Sequence, residues 1–300
     1  MTTHKSGFVN IIGNPNVGKS TLLNAMVGEK MSIITSKPQT TRHRIFGLLS
    51  TDDYQIVFSD SPGIIDKPGY GMQKSMNRIA WSSFEDADIL LFVTDIYEQY
   101  TGDEPVVNAL QKAEATKYLV INKADQDLEN KAAEIINKWK DKIDFNQSFV
   151  ISAKEKTGTD VLMSRILEDL PEGPAYYPKD ELSDKPERFF VAEIIREKIL
   201  LQFKQEVPYA CEVQVHRFKE EMKNDKALLK IYADIIVDRK SQKPIIIGKN
   251  GESIKKLGIA ARADLEIFFE KQVFLDLNVK IKENWRDDER MLKYFGYDNS

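Results

Sequence analysis

The sequence is poor in the features that mark secreted and membrane-spanning proteins. Its 300 residues include one cysteine, Cys211, so an internal disulfide is excluded. This cysteine lies in an apolar-alternating segment, which favours a buried core thiol over a catalytic one. No apolar run is long enough to span a bilayer, and the N-terminus lacks the apolar core of a secretory signal. We therefore expect a cytosolic protein, with attachment to a membrane surface left open.

Charge of one sign is also lacking, since the formal net charge is only −4 with 30% charged residues. This balance does not indicate a general nucleic-acid binder, so any such site must be a local patch. The length of 300 residues and a hydrophobic content of 42% fit two domains, each with its own core.

Residues 13–20 read GNPNVGKS, a glycine, four residues and then Gly-Lys-Ser. An apolar run precedes this motif and a helical pattern follows it, which is the context that a phosphate-binding loop requires. Backbone N–H groups and the helix N-terminus would hold the phosphates. Lys19 is expected to reach the β- and γ-phosphates, and the Ser20 hydroxyl to bind Mg²⁺. The predicted loop residues are Gly13, Asn14, Pro15, Asn16, Val17, Gly18, Lys19, Ser20 and Thr21. The loop alone does not distinguish ATP from GTP.

A polar segment at 29–44 follows and leads into a predicted hairpin with strands at 45–49 and 54–58. Such a loop is where a nucleotide switch completes the Mg²⁺ shell with a hydroxyl. We choose Thr41 for this role, with Thr40 as the second choice.

The tetrapeptide Asp60, Ser61, Pro62 and Gly63 comes at the end of the second hairpin strand. An aspartate there can hold Mg²⁺ through water, and the glycine N–H can meet a γ-phosphate. We therefore predict Ser20, Thr41 and Asp60 as metal-site residues, and Lys19, Thr41 and Gly63 as catalytic. Ile64 stands where switch GTPases often carry a water-orienting glutamine, so unaided turnover is expected to be slow.

The run Asn122, Lys123, Ala124 and Asp125 follows an apolar strand at 118–121, where ligands bind in parallel α/β sheets. A carboxylate at Asp125 can accept two hydrogen bonds from guanine, whereas adenine would leave it desolvated and unpaired. We expect Asn122 to contact the imidazole edge of the base and the Lys123 stem to lie over it. A further strand at 148–151 leads to Ser152, Ala153 and Lys154, a segment whose backbone N–H groups are expected to reach the base carbonyl.

Apolar strands alternate with helices through this half of the chain, with helices predicted at 73–84, 103–114 and 159–170. The pattern predicts an α/β P-loop GTPase domain over 1–170, with a mostly parallel sheet and helices on both faces. A proline-bearing, charged linker is expected over 171–187.

A second globular pattern covers 188–284, in the order helix, strand, strand, helix, helix, strand. Gly248, Lys249, Asn250 and Gly251 lie between the two adjacent helices. This is the order of an α+β type II KH domain, whose Gly-x-x-Gly loop clamps four nucleotides of RNA. These four residues and Lys255 are our RNA-binding candidates, within a basic cluster that also includes residues 239, 240, 243 and 256. Residues 285–300 are expected to form a tail with a short helix and no assigned function, and His216 is assigned no chemistry.

Taken together, these motifs resemble the bacterial Era GTPases along nearly the whole chain. The resemblance also covers residues 39–42, 194–198, 207–209 and 247–253. It implies GTP hydrolysis to GDP with Mg²⁺, binding near the 3′ end of 16S ribosomal RNA, and a role in small-subunit maturation. It further implies peripheral association with the inner face of the cell membrane, and a potassium ion near Asn16. A monomer is expected.

Two alternatives stay open at this point. A P-loop ATPase or kinase is disfavoured by Asp125. A signalling GTPase would use the C-terminal domain to bind a protein or membrane partner instead of RNA. We also hypothesise that the nucleotide state, sensed at Thr41 and residues 60–63, controls access to RNA.

Overall fold

The computed structural model describes residues 4–35, 37–97, 105–223 and 226–297. By their contacts, residues divide into two compact units. The first contains residues up to 69 and 73–184, and the second contains residues 185–300 with the three residues 70–72. Within the described ranges, no helix combines the length and the apolar character needed to cross a membrane.

The first unit is built on a sheet with the strand order β2-β3-β1-β4-β5-β6. Neighbouring strands are parallel except β2 and β3, which form an antiparallel hairpin. The elements in chain order are β1 (Lys5–Ile12), α1 (Lys19–Val27), β2 (Ile45–Ser50), β3 (Tyr54–Asp60), α2 (Gly71–Ser82), β4 (Ile89–Asp95), α3 (Pro105–Lys112), β5 (Thr116–Asn122), α4 (Lys131–Lys140), β6 (Gln147–Val150) and α5 (Thr159–Asp169).

The central strands are apolar along their whole length because both sheet faces are covered. All of β4 is buried. Alternate residues of β4 and β5 pack with α3 and α4 in one cluster around Phe92 and Trp139. On the opposite face of the sheet, the buried residues include Val9 and Ile11 of β1 and Leu22 of α1. The predicted fold class of this domain is confirmed.

The predicted helices and strands match the observed elements to within a few residues. The start of the helix predicted at 103–114 lies outside the described residues, and α3 covers Pro105–Lys112. Helix α4 was not predicted from the sequence. Its apolar positions Ala132, Ile135, Ile136 and Trp139 follow helical spacing and pack into the core.

The segment after α5 packs along the first unit. Leu48 N–H donates to the carbonyl of Leu182 at 2.9 Å, and the Ser183 hydroxyl donates to the carbonyl of Phe46 at 2.6 Å. Gln55 accepts from the N–H of Tyr177 at 2.9 Å. Residues 171–184, most of the segment expected as a linker over 171–187, therefore pack along strands β2 and β3 of the first unit.

The second unit contains α6 (Glu187–Gln202), β7 (Cys211–Lys223), β8 (Lys226–Val237), α7 (Gln242–Ile247), α8 (Glu252–Phe269), β9 (Gln272–Ile281) and α9 (Glu289–Tyr294). Its sheet has the order β7-β8-β9, antiparallel between β7 and β8 and parallel between β8 and β9. The three helices α6 to α8 cover one face over a core that includes Ile195, Ile231 and Leu257. The predicted type II KH architecture is confirmed, and the buried Cys211 thiol donates to the carbonyl of Val207 at 3.0 Å.

Residues 285–297 pack onto this unit, which differs from the separate tail expected from the sequence. Trp285 is fully buried, and its Nε1–H donates to the carbonyl of Ala210 at 3.2 Å. The Tyr297 hydroxyl donates to Glu212 at 2.5 Å. The buried tryptophan and the tyrosine bond make this segment part of the domain core.

Candidate functional site

The phosphate-loop motif folds as predicted between β1 and α1. Gly18, at the N-cap of α1, has φ +97°. A Cβ there would lie 2.2 Å from Asn122 Nδ2, so only glycine fits. Gly63 also approaches the loop closely, because a Cβ on it would lie 2.7 Å from Pro15 N. The phosphate loop at 13–20 therefore contacts both the 60–63 motif and the 122–125 motif.

Three oxygen-bearing side chains meet beside this loop. The Ser20 hydroxyl donates to Asp60 Oδ2 at 2.7 Å and lies 2.9 Å from Thr41 Oγ1. Thr41 in turn donates to Asp60 Oδ2 at 3.1 Å. The other oxygen, Asp60 Oδ1, is buried and has no hydrogen-bond partner among the residues that the structure describes. Hard oxygen donors with an unsatisfied carboxylate oxygen fit Mg²⁺.

The charge state of this cluster depends on burial. Burial raises the pKa of Asp60, while the Lys19 ammonium and the hydroxyls of Ser20 and Thr41 oppose the rise. Lys19 Nζ donates to the carbonyls of Gly13 and Asn14 at 2.9 and 2.8 Å. Its ammonium is therefore folded over the loop, where a phosphate group would need it.

The base-recognition motif is held by a network that joins three loops. Asn122 Nδ2 donates to the carbonyl of Val17 at 2.9 Å, and Asn122 Oδ1 accepts from Ala153 N–H at 2.9 Å. Asn122 thus ties the phosphate loop to the segment after β6. The N–H of Ser152 donates to the carbonyl of Thr157. Two of the three N–H groups expected to reach the base carbonyl, those of Ser152 and Ala153, are therefore already used within the fold.

Asp125 is exposed, and a neighbouring hydroxyl holds its carboxylate in place. Ser152 Oγ donates to Asp125 Oδ1 at 2.6 Å. This bond is the main cause of a lowered pKa at Asp125, so the carboxylate is ionised at neutral pH. An ionised acceptor at this position suits a partner with two adjacent donors.

A cavity of about 410 Å³ lies over these groups. Predicted residues that line it are Pro15, Asn16, Gly18, Lys19, Ser20, Thr21, Thr41, Gly63, Asn122, Lys123 and Asp125. Lining residues that the sequence did not single out are Ile33, Ile34, Thr35 and Gln126. Lys154, from the segment expected to reach the base carbonyl, and Gln39, from the matching residues 39–42, line it as well. The second-choice threonine, Thr40, also lines the cavity.

Ten other predicted residues do not line the cavity. They are Gly13, Asn14, Val17, Asp60, Ser61, Pro62, Ile64, Ala124, Ser152 and Ala153. Most of these act through the bonds described above. The Ile64 side chain packs against the core cluster, so a nucleotide contact by this residue has only its backbone to use.

Asp95 is a site residue that sequence reasoning missed. Its Oδ2 lies 2.5 Å from Lys123 Nζ, and its residue is buried at the end of β4. Because Asp95 pairs across the sheet with Asn122, it fixes the Lys123 stem beside the cavity. The only available signal was a carboxylate at the end of a buried strand.

In the second unit, the Gly-x-x-Gly loop has a left-handed backbone. Gly248, Asn250 and Gly251 have φ of +74°, +52° and +78°. Lys249 is exposed at the tip. Of the predicted basic cluster, Lys240 pairs with Glu283 at 3.2 Å, which uses part of its charge within the fold.

A groove of about 370 Å³ between α8 and β9 begins beside this loop. Lys255 is the predicted RNA-binding residue that lines it. Lining residues missed from the sequence are Ile254, Gly258, Ile259, Arg262, Phe274, Leu275, Asp276 and Leu277. Ile259 and Phe274 are 63% and 45% exposed. Exposed apolar residues at helical spacing along α8 were the available signal.

The fold and site define a P-loop protein with a guanine-recognition motif, joined to a KH domain. Sequence comparison agrees, because the family described as 50S ribosome-binding GTPase matches residues 8–123 and the KH domain family matches residues 206–286.

Full-length relatives give the family. GTPase Era of Clostridium kluyveri is 43% identical over 294 residues, covering 98% of this chain and 99% of the relative. GTPase ERA1, chloroplastic, of Zea mays is 44% identical over 300 residues, covering 98% of this chain and 71% of the relative. The chain therefore belongs to the Era family of GTPases.

Solved structures of this family superimpose closely. An Aquifex aeolicus Era variant bound to GDP and AlF₄⁻ has 38% identity and a TM-score of 0.91, covering 98% of this chain and 99% of that one. Era in complex with MgGDPNP and nucleotides 1506–1542 of 16S ribosomal RNA gives the same identity, TM-score and coverage. The sequence-based resemblance is confirmed.

Proposed function

We propose that this GTPase binds GTP with Mg²⁺ in the 410 Å³ cavity and binds 16S ribosomal RNA through its KH domain, in assembly of the small ribosomal subunit. The observation that carries the nucleotide half is the convergence of phosphate loop, oxygen cluster and Asp125 on one cavity. The observation that carries the RNA half is the Gly-x-x-Gly loop at the mouth of a half-exposed apolar groove.

At the nucleotide site, the residues have separate tasks. The loop N–H groups and Lys19 bind the phosphates, and Ser20 and Thr41 hydroxyls would hold Mg²⁺ with Asp60 behind them. The ion supplies charge neutralisation for the phosphates when bound. Gly63 lies close enough to the loop to offer its N–H to a γ-phosphate.

Base recognition rests on Asp125, which is ionised and pre-oriented by Ser152. The N–H groups of Ser152 and Ala153 are engaged within the fold. Of the three residues expected to reach the base carbonyl, we therefore assign this contact to Lys154, which lines the cavity. Asn122 joins the phosphate loop to the segment after β6, and we expect it to contact the base from this position.

The RNA assignment is supported by the related Era structure with a 16S fragment and by the chemistry of the groove. Apolar walls take unstacked bases, and Lys249 and Lys255 meet phosphates. Filter binding with the equivalent of nucleotides 1506–1542 tests this. Lys249→Glu should weaken binding at least about tenfold, whereas Arg188→Glu, an exposed control on α6, should not. Equal loss in both variants would refute the assignment.

Four expectations from the sequence stay predictions. Potassium near Asn16, which lines the cavity with φ +67°, predicts faster hydrolysis in KCl than in NaCl. Cytoplasmic location with peripheral membrane association, the monomeric state, and control of RNA affinity by the nucleotide come from the resemblance or from the motifs. Equal RNA affinity with GDP and with a GTP analogue would exclude the last.

A further inference from the structure

The face of the KH sheet opposite α6, α7 and α8 is covered only at one end, where α9 lies against it and Gln214 donates to the Tyr294 hydroxyl. Residues of β8 alternate, so that Ile231 and Ala233 face the helices and Lys230 and Tyr232 face the other way. We call the uncovered patch formed by Arg217, Lys219, Lys230, Tyr232 and Phe274 the outer face. The strand register places its members in adjacent rows.

Two aromatic rings lie together on the outer face. The ring centroids of Tyr232 and Phe274 are 5.7 Å apart, and the Arg217 guanidinium lies 5.3 Å from the Tyr232 centroid. His216 adds a third ring 6.3 Å from Tyr232. Aromatic rings interleaved with cations form the platform on which single-stranded nucleic acids stack their bases.

The outer face carries more basic than acidic side chains. Lys219 lies directly opposite Lys230 in the β7–β8 ladder, and like charges in this position destabilise a sheet. Glu221 bridges them at 3.5 and 2.6 Å, and Asp276 lies opposite Tyr232. Asp234, the next outward residue of β8, is paired with Lys280 at 2.7 Å. Arg217, Lys219 and Lys230 therefore outnumber the two remaining acids, and this balance favours a polyanion over a neutral or basic partner.

Phe274 connects this face to the groove already described. It lies on the edge strand β9 and lines the groove opposite α8, while its ring also contacts Tyr232. An RNA strand that leaves the groove over this edge would meet Phe274, then Tyr232, and then the cations of β7. The two surfaces are therefore continuous.

We propose that the outer face is a second RNA-binding surface, which stacks unpaired bases on Phe274 and Tyr232 and contacts phosphates through Arg217, Lys219 and Lys230. This proposal rests on the proposed RNA-binding function and extends the footprint beyond the four nucleotides of the Gly-x-x-Gly clamp. The occupant is single-stranded RNA continuous with the strand in the groove.

The test compares a short RNA with an extended one on the full-length protein. Tetranucleotides tiled across the equivalent of nucleotides 1506–1542 identify the best groove ligand by fluorescence anisotropy. The same tetranucleotide is then extended by eight adenosines on either side. We expect at least one extended RNA to bind about five- to 150-fold more tightly, the range for one stacked base.

Variants locate the gain. Tyr232→Leu and Arg217→Glu should abolish it without changing tetranucleotide affinity, and Tyr232→Phe should retain it. Arg217→Glu should also lower the salt slope by about 0.7 for the extended RNA. Arg188→Glu should leave both affinities unchanged, and unchanged tetranucleotide binding shows that each variant is folded.

Different failures are distinguishable. No gain on extension, or equal losses for both RNAs in Tyr232→Leu and Arg217→Glu, overturns the outer-face proposal while the groove assignment stands. A gain that these two variants do not affect also overturns it. If the wild-type protein binds neither the tetranucleotides nor the whole fragment, the proposed RNA function fails and this proposal fails with it.

Discussion

Ser152→Ala tests how the base-recognition carboxylate is prepared. The substitution removes the 2.6 Å hydrogen bond from Ser152 Oγ to Asp125 Oδ1 and keeps the backbone bond from Ser152 to Thr157. Hydrogen bonds to charged groups contribute about 1.5–3 kcal/mol. Because Asp125 is exposed, solvent screening reduces this to about 1 kcal/mol. We therefore expect roughly fivefold weaker GTP binding.

The pH dependence gives a second readout with a defined sign. The Ser152 bond is the largest cause of the lowered pKa of Asp125. Guanine binding needs the ionised carboxylate, so it is present above the pKa of Asp125 and is lost as the pH falls through it. In Ser152→Ala the pKa moves back toward its ordinary value, and the acid-side loss of GTP affinity should begin at a higher pH.

Isothermal titration with GTP across the acidic pH range measures both effects. Ser152→Thr, which keeps a hydroxyl, is the matched control and should behave like the wild type. ATP affinity should not respond to either substitution. Unchanged GTP affinity and an unchanged acid limb in Ser152→Ala would refute the argument that this hydroxyl prepares Asp125.

Three further outcomes are expected. Gly18→Ala should destabilise the protein by about 1–3 kcal/mol, seen in thermal unfolding, because its Cβ would strike Asn122 at a positive φ; an unchanged Tm would contradict this. Asp60→Asn should remove the Mg²⁺ dependence of GTP affinity while retaining binding of nucleotide without Mg²⁺, whereas a retained dependence would exclude Asp60 from the ion site. Trp285→Ala should cost about 3–5 kcal/mol of stability, measured by denaturant unfolding, whereas a cost under about 1 kcal/mol would show that this segment is a dispensable tail.

Most of the fold could be predicted from the sequence, because the hydrophobic periodicity and the turn residues indicate the same elements in both units. Continuous apolar runs at 8–12 and 88–93 predict a sheet covered on both faces, and the first unit contains one. Helix α4 was missed because its charged residues obscure a short apolar stripe. The packing of residues 171–184 and 285–297 was also missed, since it depends on single contacts such as those of Leu182 and Trp285.

The parts of the site that could be predicted are those in which a short motif has a known chemical role. Ser20, Thr41 and Asp60 are brought together as expected, although 40 positions separate the first from the last in sequence. Supporting contacts could not be predicted, because they depend on which strand ends are neighbours. Asp95 beside Lys123 and Ala153 beside Asn122 are of this kind. The groove residues of the KH domain are spread over α8 and β9 and carry no motif.

The central claim is that a carboxylate beside the phosphate loop selects guanine. Calorimetric titration of the purified protein with GTP and with ATP, both with Mg²⁺, tests it most directly. We expect the wild-type protein to prefer GTP by ~10⁴-fold or more. Asp125→Asn should abolish this preference and bind xanthosine triphosphate more tightly than GTP. Comparable affinities of the wild-type protein for GTP and ATP would contradict the account.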